Sequence, residues 1–344
     1  MAHLKRSPFK IDRIESDPKA FGLRITEIST CLESLYNGRN ILISGTRGIG
    51  KSSLGSQLQT VYQGEKELLK RCRLESNLPK FLTVFYACDD TTTLASLSQD
   101  ILFQIEHKSS LLPKTKFKKK KITIEMNLGV FKAALENEAV TRSPSSIVTK
   151  FAAGLEVSLN SLKEFSEYEG INIFVDELDQ LAPKINFGHF LKMLHENLSR
   201  DKLDGITFIL AGQKGVYTRL LTEDASAERI IRHISIPTLD PNEARYVLDY
   251  AASSASPRFQ IQNSALQMIL SLSAGYPYVI HLLGDAAFNM MKSEKVMTTE
   301  DVIHGLEVIL KSDKKEKYLN RLTMLTVNQK FVLLTMAKFS SSDI

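Results

Sequence analysis

The stretch Gly45-Thr46-Arg47-Gly48-Ile49-Gly50-Lys51-Ser52 constrains this chain more than any other, because it fits G-x-x-x-x-G-K-[ST] without a mismatch. A chance match in a chain of this length arises about once in a hundred. The apolar run Asn40–Ser44 (NILIS) precedes it, and a helical pattern, KSSLGSQL, begins at Lys51. A strand before and a helix after are the context that separates a phosphate cradle from an ordinary glycine-rich turn. Glycines let the chain adopt conformations closed to a Cβ and bring main-chain N–H groups against phosphate oxygens. The positive end of the helix points at the same anion. Residues Gly45 to Ser53 are therefore the candidate phosphate-binding set. Lys51 would reach the β- and γ-phosphates, and the Ser52 hydroxyl would ligate Mg²⁺.

Four more apolar runs follow: Phe81 to Ala87, Ile171 to Val175, Ile206 to Ala211 and His233 to Ile236. They are rich in Ile, Val and Phe and near-continuous, as strands covered on both faces are, whereas half-exposed strands alternate. Helical patterns separate them, one running from Thr93 to about Glu106. Residues 38–236 thus read as an α/β core, preceded by an N-terminal segment and first helix over 1–37. Beyond Pro237 the pattern is helical only. Asp240 and Pro241 form an N-cap and N1 pair, and further helices are expected at 264–273, 277–292 and 299–310, with Thr298 or Thr299 capping the last. Residues 237–312 read as a small helical domain. The final 313–344 read as a solvated linker and a capping-box helix from Thr326.

The second chemical feature is Asp176-Glu177-Leu178-Asp179, delivered by the run Ile171 to Val175. Open α/β sheets bind ligands beyond the carboxyl ends of their strands. There Asp176 would hold Mg²⁺, through water, and Glu177 would act as general base on a water molecule. Asp179 could equally be an exposed acid. Gln213, at the end of ITFILAGQ, is either a polar group beside the γ-phosphate or a solvent-facing loop side chain.

These places resemble P-loop ATPases of the AAA+ type, above all the branch holding replication-initiator (origin-recognition) and STAND signalling ATPases. The resemblance covers about residues 8 to 312. Besides the phosphate loop and DELD, Phe21-Gly22-Leu23-Arg24 resembles an imperfect "F-x-GR-E" box, and LAGQKGVYTRL resembles the sensor strand and following loop. SAERIIRHISIPTLDPNEA resembles the segment carrying an arginine finger, and SAGYPYVIHLLG the lid helix start. The resemblance implies a five-stranded parallel sheet of order 5-1-4-3-2, a helical lid over 237–312, and a winged helix after it. It also implies ATP and Mg²⁺ as cofactors and homo-oligomers in which Arg229, or else Arg232, serves the neighbouring subunit. Either arginine could instead make a local ion pair. Residues 259 to 320 contain no arginine, so the family's lid arginine is missing. His281 is a candidate stand-in, and slow turnover is the consequence expected.

Between Glu106 and Ile171 the α/β rhythm breaks, which reads as an insertion over about 107–170. Within it, Lys114, Lys116, Lys118, Lys119, Lys120 and Lys121 place six lysines in eight positions around Phe117, ahead of a strand-like 122–131. Such a tract attracts nucleic-acid phosphates or is a solvated loop tip. Total charge does not decide between them, since 44 Lys and Arg against 39 Asp and Glu give only +5. Cys31, Cys72 and Cys88 lack metal-ligand spacing, and no run reaches the roughly 18 apolar residues of a membrane span. A cytoplasmic chain without a membrane partner is expected. Three functions fit: an ATPase controlling assembly on, or remodelling of, DNA or a DNA-bound partner; a STAND-like signalling or antiviral-defence ATPase that oligomerises with a protein effector; or a non-hydrolysing nucleotide-binding scaffold.

Overall fold

The computed structural model describes residues 6–73, 78–112 and 144–311. The tract Lys114–Lys121 with Phe117, the strand-like 122–131, and the linker and helix expected over 313–344 lie outside the described residues.

Five strands form one parallel sheet: β1 (Asn40–Ser44), β2 (Phe81–Ala87), β3 (Gly170–Asp176), β4 (Ile206–Gly212) and β5 (Ile231–Ser235). Their order is β2-β3-β4-β1-β5, so the strand feeding the phosphate loop is separated from the DELD strand by β4. This is the order expected from the sequence. Leu42 sits beside Leu210, and Ile171 beside Ile206. Because successive side chains alternate between faces, each strand feeds two cores. Leu42, Ile173, Val175, Phe208 and Leu210 enter one. Ile41, Ile43, Phe174, Ile209 and Ala211 enter the other. Every residue of β1, β3 and β4 is buried, which is why these runs carry no polar alternation.

Helices α1 (Ile25–Tyr36), α2 (Lys51–Tyr62) and α3 (Glu67–Arg71) supply the second core. The first takes α4 (Leu94–Ser110), α5 (Pro144–Phe165), α6 (Phe187–Arg200) and α7 (Gly215–Glu223). Thr93 caps α4, its hydroxyl accepting from Ser96 N–H at 3.1 Å. The outer edge of β2 is closed by α4: Gln104 pairs with both main-chain groups of Phe85, and Lys108 Nζ donates to Thr83 O at 2.6 Å. Side chains placed this way stop a further strand from adding there.

Helix α5 changes the reading of the insertion. Its 22 residues fall within the 107–170 stretch, yet Val148, Phe151, Leu155, Leu159 and Leu162 are wholly core. Their spacing of three and four is a helical stripe that the neighbouring lysine tract outweighed in the sequence. The fifth strand likewise begins at Ile231 rather than His233, which places Arg232 on it. The short helix α8 (Ala227–Ile230) precedes it.

The described residues divide into two compact units. One is 12–243 with Tyr276–Tyr278; the other comprises 6–11, Ala244–Gly275 and 279–311. The second is built on α9 (Pro241–Ser254), α10 (Asn263–Ser273), α11 (Pro277–Met290) and α12 (Thr299–Lys311), with a two-residue parallel pair at Gln260–Ile261 and Val296–Met297. Asp240 Oδ1 accepts from Asn242 and Glu243 N–H at 2.7 and 2.9 Å, and Thr298 with Asp301 forms the cap of α12. Among the described residues no helix is long and apolar enough to cross a membrane.

Candidate nucleotide-binding site

The loop from Gly45 to Gly50 links β1 to α2 at the carboxyl end of the sheet, and its geometry shows why its glycines are needed. Gly48 and Gly50 have φ of +80° and +100°, a region that side chains with a Cβ avoid. A Cβ on Gly48 would also fall 2.9 Å from the Cβ of Tyr278. Tyr278 N–H donates to Gly48 O at 3.2 Å, so Tyr278 rests against the loop. Gly50 is the N-cap of α2, which directs that helix's unpaired N–H groups at the loop's hollow.

Lys51 Nζ folds back over the loop, donating to Gly45 O and Thr46 O at 3.2 Å each. Burial holds its pKa below the usual lysine value, opposed by the negative charges of Asp176, Asp179 and Glu177, while Arg47 acts in the same sense as burial. The acidic strand end and the lysine therefore share one field, although β4 lies between their strands. Ser52 opens α2 next to Lys51. Ser53 is committed elsewhere: its Oγ accepts the Glu15 N–H at 3.0 Å, and Gln57 Nε2 donates to Glu15 O at 2.9 Å. Arg47 is exposed, and Ile49 is buried beneath the loop.

Arg24, the last residue of the imperfect box, is buried with only 3% of its surface exposed. Its Nη2 donates to Ile49 O at 2.9 Å, inside the loop, and its Nη1 to Pro237 O at 2.8 Å, just after β5. Glu243 accepts the Arg24 main-chain N–H at 2.6 Å. Burial lowers the guanidinium pKa, with Glu243 and Glu27 countering. The box arginine thus ties the loop to the end of the neighbouring edge strand, β5. At the base of the loop, Ser44 Oγ meets His233 Nε2 at 2.7 Å, and His233 stacks on Tyr217 at 4.1 Å.

At the end of β3, Asp176 is 4% exposed and its Oδ1 accepts the Glu177 N–H at 2.8 Å. Glu177 is exposed and takes a left-handed backbone, φ 56°, ψ 36°, before the short 3₁₀ turn Leu178–Gln180. Non-glycine residues in that region cluster at functional turns. No cluster of three or more His, Cys, Asp or Glu that could cage a metal occurs among the described residues. Mg²⁺ asks for no such cage, since one carboxylate, a hydroxyl, phosphate oxygens and water suffice. Ser52 with Asp176 fits that donor set.

Gln213 is exposed, yet both its main-chain and side-chain N–H groups are engaged. Its N–H donates to Asp179 Oδ1 at 3.0 Å and its Nε2 to Asp179 Oδ2 at 2.8 Å, joining the ends of β3 and β4. Asp179 is therefore a fixed group rather than a spare surface acid, and the Gln213 hydrogen bonds hold its carboxyl below the ordinary range against the effect of burial. Arg219 on α7 fixes the same turn, donating to Leu178 O at 2.5 Å and Leu181 O at 3.0 Å. Nothing in the sequence marks Arg219, because a polar residue about one turn into a helix belongs to no motif.

The remaining candidates sit on other elements. Arg229 is exposed on α8 and touches Ser226 Oγ at 3.4 Å; Arg232 is exposed on the edge strand β5. His281 belongs to the helical unit, where its ring meets Phe9 edge-on at 6.2 Å and its Nδ1 accepts the Lys10 N–H at 3.4 Å. Burial, with Lys10 adding to it, lowers its pKa to about 4, so near neutral pH it carries no charge to replace a missing lid arginine.

No protein-family model matches the sequence, and no curated protein matches it. Solved structures do. The chain is similar to the Orc1 protein of Aeropyrum pernix, solved in complex with DNA, with a TM-score of 0.54 at 13% identity over 97% of this chain and 76% of that one. It is similar to the Orc2 protein of the same organism, solved as ADPNP–ADP complexes, with a TM-score of 0.52 at 14% identity over 87% and 72%. At such identities the likeness is one of fold alone.

Proposed function

We propose that this chain is a Mg²⁺-dependent AAA+-type ATPase whose nucleotide state controls assembly on, or remodelling of, DNA or a DNA-bound partner. The observation that carries the reading is the joint field at Lys51. A lysine seated on the Gly45 and Thr46 carbonyls, facing the negative charges of Asp176, Asp179 and Glu177, is arranged to exchange those carbonyls for phosphate oxygens. Gly45 to Ser52 supply N–H groups and a helix N-terminus for the triphosphate. Ser52 and Asp176 would hold Mg²⁺, which when bound neutralises charge on the β- and γ-phosphates.

Glu177 accepts a proton from the attacking water, and its exposed position at a strand end leaves it free to turn toward that water. Gln213 faces the same water from the end of β4. Arg229, exposed and with its guanidinium donating to Ser226 Oγ, completes the site of a neighbouring subunit, with Arg232 as the other candidate. Slow turnover follows from the absence of arginine over 259–320 and the neutrality of His281. The DNA reading draws on the Orc1 likeness and on the lysines at 114–121.

ATP hydrolysis by the full chain tests the enzyme, with Lys51→Ala and Glu177→Gln as controls. Glu177→Gln should retain nucleotide binding and lose about 10²–10⁴-fold in turnover, the range of a general base. Unchanged turnover in both variants would refute the reading. Mixing Lys51→Ala with Arg229→Ala subunits should restore part of the activity if the arginine acts between subunits. Salt-sensitive DNA binding, reduced when Lys118 to Lys121 are replaced, tests the partner. Nucleotide-dependent oligomers indifferent to DNA would favour the signalling-switch alternative.

A further inference from the structure

The turn after β3 and the loop after β4 are joined at a single carboxylate whose chemistry fixes a side-chain orientation. Asp179 receives the Gln213 main-chain N–H at Oδ1 and the Gln213 Nε2 at Oδ2, 3.0 and 2.8 Å away. An ionised carboxylate has lone pairs and no proton, so only the nitrogen end of the amide can meet it. The Gln213 amide oxygen must then lie on the side turned from Asp179.

The carboxylate cannot drift to follow the amide. Gln180 Nε2 donates to Asp179 Oδ2 at 3.2 Å. Arg219 clamps the turn on either side of it through Leu178 O and Leu181 O, and Glu223 Oε1 lies 3.6 Å from Arg219 Nε. Gly212 brings β4 so close that a Cβ there would sit 3.4 Å from Asp179 Oδ1.

We propose that Asp179 is a positioning residue that sets the polarity of the Gln213 amide, presenting its oxygen rather than its N–H groups to the attacking water. A water that must give up a proton is oriented by acceptors, and an amide oxygen would supply one in addition to Glu177. The inference rests on the ATPase reading above and concerns only which end of the amide faces the reaction.

The test is a donor–acceptor swap, read as steady-state ATP hydrolysis, ATP affinity and thermal midpoint for the full chain. Asp179→Asn keeps the shape, but its amide accepts the Gln213 main-chain N–H and donates to the Gln213 side chain, which reverses that amide. Gln213→Glu removes the N–H and sets two carboxylates face to face. The double variant D179N/Q213E rebuilds the bond in the opposite sense and again leaves an oxygen toward the water. We expect kcat to fall about tenfold or more in each single variant, with ATP affinity within about threefold, and to recover to within about threefold of wild type in the double variant. A merely structural tie would survive Asp179→Asn, whose reversed amide still makes the bond. A fall in kcat in that variant at an unchanged thermal midpoint is therefore the readout a structural role would not give. Equal losses that multiply in the double variant, or a single Asp179→Asn variant as active as wild type, would overturn the proposal. If one single variant fails to fold, the other single and the double still decide it. A wild-type chain that hydrolyses no ATP refutes the ATPase reading itself, which is a separate outcome.

Discussion

Arg24 Nη2 lies 2.9 Å from the main-chain oxygen of Ile49, so a residue 25 positions upstream holds the phosphate loop from behind. The second arm of the guanidinium holds Pro237 O, which makes Arg24 a cross-brace between the loop and the edge of the sheet. Arg24→Met leaves both carbonyls without this donor in a buried setting. We expect a loss of about 2–4 kcal/mol of stability in denaturant unfolding, with Arg24→Lys recovering part of it. No change in the midpoint for Arg24→Met would contradict the brace.

Gly48 serves the loop's shape rather than the core. Gly48→Ala forces a side chain into φ of +80° and against Tyr278 Cβ at 2.9 Å. A left-handed backbone costs an alanine roughly 1–2 kcal/mol. The expected result is nucleotide affinity lowered about tenfold or more, together with a loss of roughly 1–2 kcal/mol in unfolding stability. Equal affinity in the variant would show that the loop tolerates a Cβ there.

Gly55 is a packing glycine on α2, not a loop glycine. A Cβ there would fall 2.3 Å from the Phe174 ring, which itself meets Phe85 at 5.2 Å between centroids. Gly55→Ala should destabilise by about 1–3 kcal/mol, the usual range for overpacking, as read in urea unfolding. The double variant with Phe174→Leu should recover a measurable share, since it removes the clash; strictly additive losses would place the strain elsewhere.

The helical unit should weaken in acid through His281. Its folded pKa of about 4 lies below the ordinary value of 6.5, so as pH falls through 6.5 the unfolded chain takes up a proton that the folded chain refuses. Stability supplied by the neutral imidazole is complete above pH 6.5 and declines toward pH 4, by roughly 1–3 kcal/mol. Unfolding of His281→Gln should lack this part of the pH dependence. An identical pH profile in the variant would exclude His281 as its source.

Much of this was legible in the sequence, and what was not has physical causes. The runs of β1, β2 and β4 announced themselves because strands covered on both faces are apolar throughout, as the cores on either side of Ile41 and Leu42 show. The places of the Gly45–Gly50 loop between β1 and α2, and of Asp176 at the end of β3, were legible because residue types recur there at fixed spacing. Helix α5 was not, since Val148, Phe151 and Leu155 form a stripe only when read at three- and four-residue intervals. Arg24 could be seen as part of a box, but not that its partners would be the carbonyls of Ile49 and Pro237, because main-chain acceptors leave no mark on sequence. Asp179 and Gln213 were each ambiguous alone; their meaning lies in a contact across 34 positions.

The central claim is that a triphosphate binds on the Gly45–Ser52 loop, and titration calorimetry of the full chain with ATP and Mg²⁺ tests it most directly. The account predicts saturable one-site binding in the wild type, affinity falling in the order ATP, ADP, adenosine, and a loss of about tenfold or more in Lys51→Ala, the removal of one buried charged contact. ATP binding of equal strength in wild type and Lys51→Ala, or no binding in the wild type, would contradict it.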